Sequence, residues 1–273
     1  MLWAAYERSL DTLIPMRWDP AQYGRFADER NRAFVDLTAR IDVAAPRHVV
    51  DLGCGTGKLT ALLAERWPDA VVEGIDSSPE MIAAAAAVPG VSFSIGDAAH
   101  WQPADDVDVI VSNAALQWIP RHQQLIGQWA AALPGGGWLA VQVPGNFDAP
   151  SHALMRELAG TGHWAPRLGY VVGSRDTVGT PESYARVLLD AGLIADVWET
   201  TYLHVLHGAD PVVEWLRGTG LRPLLAKLSP ADATEFSAQL AAKLRGAYPP
   251  GPHGTVFPFR RIFAVGHRPR PNP

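Results

Sequence analysis

Apolar residues recur along this chain in two rhythms. Short apolar runs, closed by an acid, glycine or asparagine, alternate with stretches whose apolar side chains fall every three or four positions. The runs at 48–52, 71–76, 91–95, 107–113 and 138–143 predict strands. Between them, 58–67, 82–88 and 123–133 predict helices, and strands alternating with helices point to an α/β fold with an open, mostly parallel sheet. Further on, a helix over 184–191 stops at Gly192 and a strand alternates over 196–205. A helical pattern over 211–228 is broken at Gly218-Thr219-Gly220, a helix covers 232–245, and a last strand covers 256–265. Residues 147–180, rich in Gly, Pro, His and Arg with a short helix near His152–Leu158, read as a cap. At the front, Asp19-Pro20 is a helix start, and Tyr23, Phe26, Phe34, Leu37 and Ile41 keep helical spacing.

Composition narrows the class. Of 273 residues 48% are apolar and 19% charged, which suits a soluble globular protein with a large core. No run approaches the roughly 18 apolar residues of a membrane span. Glu7, Arg8 and Asp11 interrupt the first 15 residues, so they do not read as a signal peptide, and Met16 is a candidate start that would make them dispensable. The net charge of −5 speaks against nucleic acid and anionic membranes as partners. A single cysteine, Cys54, rules out an intrachain disulfide, fits a reducing compartment and points to the cytoplasm. Nine histidines lie scattered without ligand spacing, so no metal is expected.

The chemistry centres on Asp51-Leu52-Gly53-Cys54-Gly55-Thr56-Gly57-Lys58, where a strand turns into a helix. A dinucleotide fingerprint would need its third glycine at Lys58. A phosphate-cradling loop would need a glycine at Leu52 and a hydroxyl residue at Leu59. Both phosphate readings fail by position. Asp51 before the glycines suits a ligand carrying positive charge. Asp76 ends the second strand about 20 residues past the turn, where a carboxylate accepts from ribose hydroxyls. Asp76, Ser77 or Ser78 is also placed to cap the helix opened by Pro79, and Met81 is either core or adenine contact. Cys54 reads as a small buried filler.

Val49-Val50-Asp51-Leu52-Gly53-Cys54-Gly55-Thr56-Gly57 resembles the first motif of class I S-adenosylmethionine-dependent methyltransferases. The resemblance implies their three-layer Rossmann-like fold: a seven-stranded sheet whose last strand is antiparallel and inserted between the fifth and sixth. It implies S-adenosylmethionine as cofactor, held by Trp18, Tyr23, Asp51, Gly53, Gly55, Asp76, Ser77, Met81, Asp97, Ala98 and Asn113. Asp97 would accept from the adenine amino group and Ala98 would offer its amide to a ring nitrogen. The chain then divides into an N-terminal extension (1–17), a cofactor-binding half (18–145), a cap and substrate-binding half completing the same domain (146–265), and a flexible tail (266–273).

The acceptor leaves a fainter trace. Asn113-Ala114-Ala115-Leu116-Gln117-Trp118 lacks the Asn/Asp-Pro-Pro-aromatic pattern of amino-directed enzymes. After Glu235 there is no acid, while Lys243, Arg245, Arg260, Arg261, Arg268 and Arg270 are basic, which suits a small anionic acceptor. From Met16 onward the chain resembles the trans-aconitate methyltransferase family. The matches are Trp18-Asp19-Pro20, Ser112–Trp118, Val141–Phe147 with Ser151-His152, Trp198–His204 and Phe257–Arg261. That resemblance implies methylation of a carboxylate of a small tricarboxylate, bound by Trp118, His122, Gln142, Asn146, His204, Arg222 and Arg261. The carboxylate is already ionised at neutral pH, so no acid–base residue is required. Other small acids or hydroxyl metabolites, a non-catalytic cofactor-binding protein and an oxidoreductase are the competing readings. A monomer is compatible with everything in the sequence, which does not fix the oligomeric state.

Overall fold

The computed structural model describes residues 27–169 and 178–270. In chain order these form α1 (Ala27–Thr38), β1 (His48–Leu52), α2 (Thr60–Arg66), β2 (Val71–Asp76), α3 (Pro79–Ala85), β3 (Ser92–Ile95) and β4 (Val107–Asn113). A 3-10 turn (Leu116–Trp118), α4 (His122–Ala132), β5 (Trp138–Pro144), α5 (Pro150–Ala159) and α6 (Ala165–Leu168) follow. The rest comprises α7 (Pro181–Asp190), β6 (Ile194–Leu206), α8 (Pro211–Arg217), α9 (Arg222–Leu225), α10 (Pro230–Ala247), β7 (Pro250–Gly251) and β8 (Gly254–His267). Ser or Thr before Pro marks three helix starts. The side chains of Ser78, Thr180 and Ser229 each accept from the N–H three residues on, with Pro at the first helical position.

The strand order is β3-β2-β1-β4-β5-β8-β6. Strands β1 to β5 pair in parallel, and β8 lies antiparallel between β5 and β6, as the resemblance implied. The two-residue β7, not foreseen from the sequence, folds back on the start of β8. The sheet is covered on both faces because alternate strand residues point opposite ways. Val49, Val109, Val111, Ala140 and Phe263 meet Phe34, Leu37 and Ile41 with Leu63 and Trp67 of the α2 segment. Val50, Ile110, Leu139 and Ile262 meet Ile126 and Trp129 of α4 and Tyr184 and Leu188 of α7. Fully burying one such large apolar side chain contributes about 1.5–3 kcal/mol.

A third core lies beyond the sheet. Leu158, Trp164, Trp215, Leu216, Phe236 and Leu240 pack with Phe257 and Phe259 of β8, so the cap has its own interior and rests on the last strand. The helical stretch over 211–228 breaks at Gly218–Gly220 as its sequence implied, giving two helices, α8 and α9. The tail expected to be loose from Gly266 starts inside the fold. Strand β8 runs to His267, and the Arg268 side chain donates to the carbonyls of Ala130 and Ala191.

Candidate active site

The glycine turn after β1 is built by backbone geometry. Gly53, Gly55 and Gly57 all have positive φ, at 79°, 57° and 73°. A Cβ on Gly53 would lie 2.2 Å from that of Ala115, so the turn after β4 presses directly on it. The Gly53 and Cys54 N–H groups both donate to the Ile75 carbonyl, at 2.7 and 3.1 Å, fixing the turn to the end of β2. Asp76 follows Ile75. Its Oδ2 accepts from the Gly55 N–H and its Oδ1 from the Ser78 N–H, both at 2.9 Å. Each oxygen keeps a second lone pair. Burial raises its pKa above the ordinary carboxylate value, and those N–H groups counter the rise. The cap of α3 is therefore Ser78, and Ser77 is exposed.

Asp51 is buried and its Oδ2 accepts from the Thr60 hydroxyl at 2.7 Å. Burial pushes its pKa up to about 7; the Thr60 bond opposes this and the Asp76 charge adds to it. A cation placed beside Asp51 would offset that burial and favour its ionised form. The Cys54 thiol is driven far up by burial and by both aspartates, so it is an inert filler. Asp97 is exposed and forms a turn, accepting from the Ala99 N–H at 2.8 Å, with His100 Nδ1 at 3.1 Å. Ala98 packs against the Trp129 side of the sheet, and Met81 is core.

Several residues expected to bind the acceptor lie on the same face of the sheet as Asp51. Register pairs Asn113 with Gln142, Pro144 with Arg261 and Thr200 with Arg261; Tyr202 with Phe259 and His204 with Phe257 continue the face. Asp51, Asn113, Gln142, Arg261, Tyr202 and His204 thus form one polar line across β1, β4, β5, β8 and β6. Gln142 is fully buried and its Oε1 accepts from Arg261 Nη1 at 3.0 Å. Gln142 Nε2 and Asn113 Oδ1 are buried and have no partner among the described residues. Arg261 is 2% exposed, with its guanidinium 5.0 Å over the Phe259 ring. His204, also buried, stacks on Trp215 with ring centroids 4.9 Å apart. Ala114, next in chain to Asn113, holds φ at +54°, a strained value for a residue with a Cβ. Its N–H donates to the Gln142 carbonyl at 2.9 Å.

Two expected acceptor residues, His122 and Asn146, serve otherwise. Both ring nitrogens of His122 are engaged inside the protein, Nδ1 with the Ile119 carbonyl at 3.2 Å and Nε2 with the Tyr184 hydroxyl at 2.7 Å. His122 therefore joins α4 to α7 and has no ring nitrogen left for a substrate. Asn146 donates to the Arg260 carbonyl and accepts from the Arg260 N–H, both at 2.8 Å, so it clamps β8. Arg222 opens α9, partly buried at the turn that follows Gly220, and Trp118 ends the 3-10 turn, also partly buried. The basic C-terminal stretch does not gather as a whole. Lys243, Arg245 and Arg260 form ion pairs with Glu157, Asp210 and Glu199, and alternation puts Arg260 on the opposite face from Arg261. Trp18, Tyr23 and Phe26 lie outside the described residues.

Sequence reasoning missed Thr60, Tyr202 and Asp36. Tyr202 donates a short hydrogen bond to Asp36 of α1, and Arg32 lies 5.0 Å over its ring, so α1 is pinned to β6. The two-residue spacing of Tyr202 and His204 on one strand was the available signal. Among the described residues, His163, Asp232 and Glu235 group as potential metal ligands. Arg167 occupies that group, with Nη1 2.7 Å from Asp232 and Nη2 3.1 Å from His163 Nε2.

Comparison with known proteins fits this geometry. A model described as a methyltransferase domain matches residues 49–137, the segment from β1 to the turn before β5. The trans-aconitate 2-methyltransferase of Streptomyces avermitilis is 52% identical over 260 residues, 92% of this chain and 97% of that one. The protein of the same name from Rhodococcus jostii is 52% identical over 250 residues, covering 91% and 98%. The chain belongs to the trans-aconitate 2-methyltransferase family. The polar face just described includes two of the sequence stretches that carried the resemblance, 198–204 and 257–261. Solved structures share the fold. YcgJ from Bacillus subtilis is 14% identical with a TM-score of 0.57, over 88% of this chain and 99% of that one. A Haemonchus contortus phosphoethanolamine N-methyltransferase 2, solved with S-adenosyl-L-methionine, is 16% identical with a TM-score of 0.52, over 88% and 53%.

Proposed function

We infer that this chain transfers a methyl group from S-adenosylmethionine to a carboxylate of trans-aconitate, giving the monomethyl ester and S-adenosylhomocysteine. The observation that carries the acceptor assignment is the Gln142 amide, a fully buried donor with no partner among the described residues, held beside the buried Arg261. An unsatisfied buried donor costs about 1–3 kcal/mol, which a bound carboxylate oxygen removes.

The residues at the other end of the line fit the cofactor. The Gly53–Gly57 turn has no Cβ at three of its five positions, Asp76 keeps acceptor capacity on both oxygens, and a cation beside Asp51 would offset its burial. We assign Asp51, Gly53 and Gly55 to its methionine part, Asp76 to its ribose and Asp97 with Ala98 to its adenine. When bound, the cofactor supplies a methyl group already activated on a sulfonium. The chain's own residues then have a modest task. Gln142 orients the reacting carboxylate, and Arg261, with Arg222 and His204, holds the remaining ones. The acceptor is ionised at neutral pH, so no residue removes a proton. Alignment and exclusion of water supply the acceleration, and alignment alone is worth up to about 7–11 kcal/mol in well-oriented systems. Among the described residues no helix is long and apolar enough to cross a membrane. We place the enzyme in the cytoplasm, a reading supported by its lone, buried cysteine.

The test is incubation with S-adenosylmethionine and a panel of trans-aconitate, cis-aconitate, citrate and isocitrate, with products read by mass. The expected product is the trans-aconitate monomethyl ester, well ahead of the others. Tight cofactor binding without any ester would overturn the acceptor assignment.

A further inference from the structure

Helix α5 leaves the carboxyl end of β5 close to the Arg261 clamp, because Asn146 ties the connecting loop to the backbone of Arg260. Ser151, Met155, Leu158 and Ala159 are the helix's buried residues, and the last three belong to the cap core. His152 and Arg156, one turn apart, lie on another side. The Arg156 guanidinium stacks 3.6 Å over the Phe147 ring and donates to the Phe147 carbonyl, just beyond the end of β5. The Nε2 edge of His152 faces Gly220, where an added Cβ would lie 3.4 Å from that nitrogen. Gly220 belongs to the turn between α8, which carries the Trp215 stacked on His204, and α9, which opens with Arg222. His152 therefore stands where the cap meets the acceptor face, and the mechanism above does not use it.

Its ring is held from behind. Ser151 is fully buried, its N–H donates to the Tyr248 hydroxyl at 3.0 Å, and its own Oγ lies 3.0 Å from His152 Nδ1. Burial, with the neighbouring Arg156 charge, pushes the imidazole down to about 4, so the ring is neutral at neutral pH. A neutral ring that accepts the Ser151 proton at Nδ1 carries its own proton on Nε2.

We propose that His152 is a further acceptor-binding residue, whose Nε2–H donates to one of the two outer carboxylate arms of the tricarboxylate, with Ser151 as the positioning residue that sets the tautomer. The proposal rests on the reading that the acceptor is trans-aconitate held at Arg261 and Gln142. A neutral donor adds a directional contact without burying another cation.

Two isosteric variants separate the roles of the ring nitrogens. His152→Asn keeps a polar group near the Nδ1 position and loses the Nε2 donor; His152→Gln places a donor near the Nε2 position. His152→Asn is expected to raise the KM for trans-aconitate roughly ten- to a hundredfold, the loss of one hydrogen bond to a charged group, with kcat within a few-fold. His152→Gln is expected to recover most of that loss. Ser151→Ala should raise KM in the same sense by a smaller factor and leave the cofactor Kd unchanged. Mesaconate and itaconate each lack a different outer arm, and serve as competitors. His152→Asn should weaken inhibition by one of them and leave the other unchanged. Equal KM values for the Asn and Gln variants, or equal effects on both competitors, would overturn the proposal. Wild-type enzyme that makes no ester overturns the acceptor assignment itself; ester formation with unsplit variants overturns only the role of His152.

Discussion

Replacing Arg261 by lysine isolates geometry from charge. The guanidinium is buried, donates through Nη1 to Gln142 Oε1 at 3.0 Å and lies 5.0 Å over Phe259. Lysine keeps the positive charge but has no planar fork, so it cannot hold Gln142 and a carboxylate in the same plane. One charge-assisted bond is worth about 1.5–3 kcal/mol, which converts to roughly a ten- to hundredfold rise in the KM for trans-aconitate. The stranded Gln142 carbonyl should cost about 1–3 kcal/mol of stability as well. Because the reacting carboxylate needs no base, kcat should change only a few-fold. Initial rates over a range of trans-aconitate, with product quantified by mass, give KM and kcat, and single-turnover runs separate binding from transfer. Calorimetry with the cofactor checks that the other end of the site is intact. An unchanged KM, or a fall in kcat with KM intact, would refute the assignment of Arg261 to ground-state clamping.

Three further outcomes follow from groups already described. Asp51 has a folded pKa near 7 against about 4 unfolded, so the folded state binds the extra proton between those values and stability should fall as pH rises from about 4 to 7. Since a cationic ligand favours the ionised form, cofactor affinity should rise between pH 5.5 and 7 with proton release on binding; calorimetry in buffers of different ionisation heat reads this, and Asp51→Asn should abolish it. Asp76→Ala should weaken cofactor binding by about 1.5–3 kcal/mol, and an unchanged Kd by titration would remove Asp76 from the ribose site. Tyr184→Phe leaves His122 Nε2 without its partner and should lower unfolding free energy by about 1–3 kcal/mol in urea, with turnover unaffected.

Local chemistry was legible in the sequence, and contacts across the chain were not. The glycine turn, the acids at the ends of β1 and β2 and the Ser78-Pro79 start of α3 announce themselves within a few residues, because backbone conformation and capping are local. Strand alternation likewise separated Arg261 from Arg260 in principle, yet the run of basic residues read as one cluster until ion pairs with Glu157, Asp210 and Glu199 claimed three of them. His122 and Asn146 sit in stretches that lead to the sheet's open end. Their partners, Tyr184 and the backbone of Arg260, are 62 and 114 residues away and carry no local mark. The Gln142–Arg261 bond spans 119 residues, so its existence followed only from the pairing of β5 with β8.

The position of β8 sets an order on the enzyme's assembly. During synthesis β1 to β5 and β6 emerge first, yet β6 joins the sheet only when a strand from the far end of the chain slots between it and β5. A nascent chain stopped before residue 254 lacks Arg261 and leaves the edge of β5 without its partner strand, open to pairing with other chains. The Gln142–Arg261 bond therefore forms only in a late step. A prematurely terminated product lacks the strand that places Arg261 beside Gln142.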